Sequence, residues 1–106
     1  MENRPEIAKS IRTGTYMTNY HDVGTGFPLV MLHGSGPGVS AWANWNRLFP
    51  LLSDGHRIVA PDLVGFGYTD RPEGAVYNMT AWTRQVVDLL DALKIEQADI
   101  IGNSFG

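Results

Sequence analysis

The sequence predicts an α/β fold, a mostly parallel sheet with helices on both faces, and three observations carry that prediction. Strand-like and helix-like stretches alternate along the chain from residue 28 onward, as in folds that cover a sheet with helices. Pro28-Leu29-Val30-Met31-Leu32 is a continuous apolar run, which suits a strand buried on both sides. Trp82, Val86, Leu89, Leu90 and Leu93 recur at helical spacing and form a stripe fit to cover one face of such a sheet.

The elements follow in order. Residues 1–10 are polar and expected to be loose at the very end. Residues 12–17 and 18–23 read as two short strands, with Tyr16, Tyr20, Val23 and the threonines supplying β-propensity. Gly24-Thr25-Gly26 is a turn, residues 28–32 the buried strand, and residues 34–38 a glycine-rich loop. A helix is expected over 40–53, with Trp42, Trp45, Leu48, Phe49 and Leu52 on one face. Pro50 cannot donate to the helix ladder, so a kink or a 3₁₀ last turn belongs there, with Gly55 as the stop. Residues 57–60 form the next strand, closed by Pro61-Asp62, and 64–72 a loop punctuated by Gly65, Gly67 and Pro72. Thr80 caps a helix running to 95, and 98–102 is the last strand.

Bulk properties narrow the function. At 106 residues and 11.7 kDa the chain is at most one small domain, without repeat or linker. With 43% hydrophobic and 18% charged residues, neither disorder nor a membrane class is favoured. A net charge of −3 without a basic cluster excludes a nucleic-acid footprint. The lack of cysteine rules out disulfides, zinc–thiolate sites and a cysteine nucleophile, and fits a cytoplasmic location. Met1-Glu2-Asn3-Arg4-Pro5 lacks a basic-then-apolar leader pattern, and no apolar run nears the ~20 residues of a membrane helix.

Chemistry concentrates in two glycine-rich motifs. Gly102-Asn103-Ser104-Phe105-Gly106 is a G-x-S-x-G pentapeptide behind a strand-like run. This pattern is the nucleophile elbow of α/β-hydrolases, a strained strand-to-helix turn that lifts a serine Oγ clear of the sheet. Small residues two before and two after the serine relieve crowding, and Gly102 and Gly106 stand there. The amide after the nucleophile, that of Phe105, would face the oxygen under attack, and a second amide must come from an earlier loop. His33-Gly34-Ser35-Gly36-Pro37-Gly38 follows the buried strand, at the same sheet edge. Two glycines around a serine are common by chance; the apolar strand before it and the upstream loop single this one out. Gly34-x-Gly36 also opens a dinucleotide-binding pattern, but Val39 stands where its third glycine belongs and Pro37 removes a phosphate-binding amide.

Nearly the whole chain, from about residue 7, resembles the meta-cleavage product hydrolases, α/β-hydrolases of aromatic catabolism that include the 2-hydroxymuconate semialdehyde hydrolases. The resemblance rests on Met31-Leu32-His33-Gly34-Ser35-Gly36-Pro37-Gly38-Val39-Ser40-Ala41-Trp42-Ala43-Asn44, on Asp62-Leu63-Val64-Gly65-Phe66-Gly67-Tyr68-Thr69-Asp70-Arg71-Pro72, and on the elbow. It implies hydrolysis of a carbon–carbon bond in a 2-hydroxy-6-oxo-dienoate, giving 2-hydroxypenta-2,4-dienoate and a small carboxylic acid, with no cofactor and no metal. It further implies Ser104 as nucleophile, the amides of Ser35 and Phe105 as oxyanion hole, Asn44 and Asn103 as holders of the dienoate end, and Gly36 as the point of close substrate approach. Read from the residues alone, Asn103 could merely cap the elbow and Asn44 could be a solvated helix residue.

Family order is serine, acid, histidine, so the base should follow Ser104, and His33 is expected to be structural. His21 and His56 look like surface or strand-edge residues, Asp62 a residue that fixes the following loop, and Asp70-Arg71 a solvated pair. The resemblance thus makes residues 1–106 the N-terminal part of one hydrolase domain, cut after the elbow, with lid, acid and histidine among ~170–180 further residues. Such a part is expected to be inactive alone, and a homo-oligomer is possible for the full-length protein. The alternatives are a carboxylesterase of the same fold and a short non-catalytic binding module; a chain ending inside the elbow favours the hydrolase.

Overall fold

The computed structural model describes residues 5–36 and 38–103. Five strands form one sheet in the order β1-β2-β4-β3-β5: β1 (Lys9–Thr13), β2 (Tyr16–Val23), β3 (Thr25–Leu32), β4 (Asp54–Pro61) and β5 (Asp99–Gly102). β1 with β2 and β2 with β4 are antiparallel; β3 runs parallel to both β4 and β5. The sheet is therefore mixed, with its parallel half at the end that carries the two glycine motifs.

The continuous apolar runs follow from burial on both faces. In β3, Leu29 and Met31 point to one side and Val30 and Leu32 to the other; in β4, Ile58 and Ala60 oppose Val59 in the same way. The first set packs with Ala41, Trp45 and Phe49 of the short helices α1 (Ala41–Trp45) and α2 (Phe49–Leu52). The second packs with Tyr20, Leu63, Ile95 and, from α3 (Met79–Ala92), Val86 and Leu89. Val30, Met31, Ile58 and Val59 are wholly buried, each stabilising by about 1.5–3 kcal/mol relative to exposure.

Several boundaries differ from the expectation. The first two strands meet at Gly14-Thr15, with Thr13 paired to Tyr16, because glycine opens a two-residue hairpin turn there; no break falls between Met17 and Thr18. Only Gly24 separates β2 from β3, so Thr25 and Gly26 are already strand. The expected helix over 40–53 is two helices, and the break precedes the proline. Ser40 caps α1, its Oγ accepting from Ala43 N at 3.1 Å. Pro50 then sits in the first turn of α2, where a missing N–H leaves no bond unmade. Leu48 is consequently exposed rather than on the buried face, and Gly55 lies in β4 instead of stopping a helix. α3 is capped by Asn78, whose Oδ1 accepts from Ala81 N at 2.9 Å, and not by Thr80, which lies inside the helix. It ends at Ala92, with Ile95 folded back onto it: Ile95 N donates to Leu90 O at 2.9 Å. No helix among the described residues is long and apolar enough to cross a membrane.

Candidate active site

The parallel strands β3 and β5 end side by side. Leu32 is in register with Gly102, and Asn103 N donates to Leu32 O at 3.1 Å. That pairing brings the loop from His33 next to Asn103, the residue after β5. Asn44, on α1, joins them: its Oδ1 accepts from Gly34 N at 3.0 Å and from Asn103 Nδ2 at 2.9 Å. Asn44 and Asn103, singled out from sequence as substrate contacts, are thus hydrogen-bonded to each other. Ser35 and Gly36 are exposed in the same loop. Gly36 has φ +146, a conformation L side chains rarely adopt, and a Cβ there would meet nothing within 4 Å. Backbone conformation, not crowding, calls for glycine at this position. Ser104, Phe105, Gly106 and Pro37 lie outside the described residues.

An open cleft of about 550 Å³ adjoins the loop, between Gly36, Val39 and Ser40 on one wall and Gly65, Phe66 and Tyr68 on the other. Ser35, Asn44 and Asn103 do not line it. Among the described residues, no group of three or more His, Cys, Asp or Glu could hold a metal ion.

His33 lies at the root of the loop, fully buried. Leu63 N donates to its Nε2 at 2.9 Å, so the bonding pattern assigns the ring proton to Nδ1, 2.7 Å from Gly34 O. Burial lowers its pKa below the ordinary histidine value, against smaller opposing effects of the Gly34 carbonyl and Asp62. Both ring nitrogens are engaged in holding the loop, as befits a structural residue. His21, expected at the surface or a strand edge, is buried instead between Trp42 and Phe49, with ring centroids 5.6 and 5.5 Å away. Among the described residues its Nε2 has no hydrogen-bond partner, and burial lowers its pKa too, opposed by Asp62 and Glu6. His56 is exposed, as expected.

Beneath the loop lies a buried polar network that sequence reasoning largely missed. Asp62 Oδ1 accepts from Ala41 N at 2.7 Å, and Oδ2 from Asn19 Nδ2 at 2.9 Å and Tyr68 N at 2.8 Å. One carboxylate therefore ties α1, β2 and the loop after β4 together, a wider role than fixing that loop alone. Gln85 Nε2 donates to Asp62 O at 3.0 Å and Thr18 Oγ1 at 3.1 Å, while its Oε1 accepts from Val64 N at 2.7 Å. Gln85 sits on the apolar stripe of α3, one turn from Trp82 and Leu89. A polar side chain on a buried stripe was the available signal. Asp70, read as a solvated partner of Arg71, instead exchanges two hydrogen bonds with Met17: N to O at 3.0 Å and Met17 N to Oδ2 at 2.9 Å. Arg71 Nη1 donates to Gly67 O at 3.0 Å.

Residues 28–106 match the family model described as alpha/beta hydrolase fold. The chain belongs to that family. Within the α/β-hydrolases it is similar to 2-hydroxymuconate semialdehyde hydrolase of Pseudomonas sp. strain CF600, 55% identical over 99% of this chain. It is also similar to 2-hydroxy-6-oxo-2,4-heptadienoate hydrolase of Pseudomonas putida, 50% identical over 95% of this chain. Among solved structures, the meta-cleavage product hydrolase of Pseudomonas fluorescens IP01 superposes with a TM-score of 0.95 at 53% identity, covering 97% of this chain and 38% of that one. The chain spans 37% of the length of both curated relatives. The α/β-hydrolase fold expected from the glycine motifs is thereby established.

Proposed function

We propose that these residues are the N-terminal part of a serine-type hydrolase that cleaves a carbon–carbon bond in meta-ring-fission products such as 2-hydroxymuconate semialdehyde. The observation that carries the reading is the junction at Asn44, which sets the Ser35 loop beside the turn leading into Ser104, in a chain half-identical to hydrolases of such dienoates.

The chemistry runs as follows. The substrate's enol becomes a keto form, so that a carbonyl can receive the electrons of the scissile bond. Ser104, or a water it helps place, attacks the C6 carbonyl. The amides of Ser35 and Phe105 stabilise the oxyanion, a contribution of about 3–4 kcal/mol per donor. The C5–C6 bond breaks, its electron pair passing to the dienol fragment with a proton. 2-Hydroxypenta-2,4-dienoate leaves. Where Ser104 was the attacking group, a water then cleaves the acyl-serine ester, releasing the carboxylic acid and restoring the serine hydroxyl; where water attacked, the acid leaves directly. Asn44 and Asn103 hold the dienoate end, and Gly36 permits close approach. The triad acid and histidine belong beyond residue 106, as does the lid. No cofactor enters, and a cytoplasmic location belongs to the same proposal.

The test uses the protein expressed from its complete gene, offered a coloured ring-fission dienoate and an aryl ester. Preferred dienoate turnover, abolished by Ser104→Ala, is expected; ester turnover without dienoate turnover would make it a carboxylesterase.

A further inference from the structure

We propose that Asn44 is a positioning residue that sets the direction of the Ser35 oxyanion donor through its carboxamide oxygen. The inference rests on the reading of the Ser35 amide given above. A carboxamide oxygen has two lone pairs, and here both are used: one on Gly34 N–H at 3.0 Å, one on Asn103 Nδ2 at 2.9 Å. Gly34 is the residue before that donor. A single atom thus joins the loop that carries the Ser35 amide to the residue that follows β5.

The grip on Gly34 is two-handed. Asn44 holds its N–H, and His33 Nδ1 holds its C=O at 2.7 Å. That C=O shares a peptide plane with Ser35 N–H, and no peptide bond described is cis. In a trans peptide the two bonds point in opposite directions, so Ser35 N–H is turned away from His33. With both sides of Gly34 held, the direction of Ser35 N–H is set. Asn44 is itself anchored: its N donates to Ser40 O at 3.0 Å, and the first turn of α1 is held by Asp62 through Ala41 N. Because Oδ1 is filled, only Nδ2 remains for a substrate, so contact and positioning use opposite ends of one side chain. Donor placement matters because a misplacement of 1 Å costs about 100-fold in rate.

The two roles separate in the whole protein by comparing Asn44→Ala with Asn44→Asp, which keeps an acceptor and loses the donor. Kinetics are read on both the dienoate and the aryl ester. Positioning predicts that Asn44→Ala lowers kcat about 10–100-fold on both substrates, with KM within about threefold. Asn44→Asp recovers most of that kcat. Amide exchange at Gly34 should be fast in Asn44→Ala and slow in the wild type and Asn44→Asp. The proposal is overturned if Asn44→Ala keeps its kcat. It is equally overturned if Asp is no better than Ala, or if the defect is a raised KM confined to the dienoate, which marks substrate contact alone. Failure of the carbon–carbon hydrolase reading looks different: the wild type turns over only the ester, on which the order of the variants is still legible.

Discussion

At Gly67, φ is +53, and a Cβ built there would fall 2.2 Å from Asp62 Oδ2. This close approach lets Tyr68 N–H reach the same carboxylate oxygen at 2.8 Å. Gly67→Ala combines a left-handed backbone cost with loss of a hydrogen bond to a charged group, together about 2.5–5 kcal/mol. Urea unfolding of the whole protein should show a loss of that size, and a loss within error of zero would mean that Asp62 is free to move. The buried imidazoles give a second expectation. Both His21 and His33 have pKa values below 6.5 in the folded state because burial disfavours their charged forms. The unfolded chain then binds more protons than the native one as pH falls below about 6.5. Stability should be full above that pH and decline through the window between 6.5 and the lowered folded values. His21→Phe, which places an apolar ring between Trp42 and Phe49, should flatten the decline; an unchanged slope between pH 7.5 and 5 would assign it elsewhere.

At the scale of elements, both ends of α3 have identifiable locks. Asn78→Ala should cost about 1 kcal/mol through the lost cap. At the other end Lys94 has φ +59, and the bonds Lys94 N to Asp91 O (3.1 Å) and Ile95 N to Leu90 O (2.9 Å) close a Schellman turn. A side chain in that conformation costs about 1–2 kcal/mol, so Lys94→Gly should raise the thermal midpoint by a few degrees; a lowered midpoint would show that the lysine stem contributes more than its backbone costs. These locks also show what the sequence could and could not reveal. The apolar run of β3 and the stripe of α3 were legible because their periods record burial on two faces and on one. The caps were misjudged by a residue or two, since Asn78 and Thr80 are both competent capping residues and only tertiary packing chooses the start. The glycine motifs were legible as marks of the α/β-hydrolase fold, whereas the Asn19–Asp62–Gln85 network was not, because its bonds span 21 to 67 positions. No local pattern encodes so distant a partner.

The whole molecule is unevenly covered. β5 is exposed along its length, with Ile100 and Ile101 56% and 41% exposed at the sheet edge. Beside it, Leu32, Trp82, Val86, Leu90 and Ile100 line an apolar groove of about 290 Å³. Residues 1–106 made alone should therefore self-associate through this edge; a monodisperse monomer with a sharp thermal transition would contradict that. The same piece should leave Ser104 unlabelled by a fluorophosphonate, since an unactivated hydroxyl is a weak nucleophile. Rapid stoichiometric labelling would place the activating base within these residues.

The strand order β1-β2-β4-β3-β5 also has a temporal consequence. During synthesis, β3 can pair with β4 as soon as Pro61 leaves the ribosome, but its other side waits for β5, roughly two to eight seconds of further translation. Limited proteolysis of arrested nascent chains would date the two ladders. Of these five strands, β5 is the last to be translated, so the G-x-S-x-G segment that follows it in sequence is delivered to a sheet whose other strands have already been made.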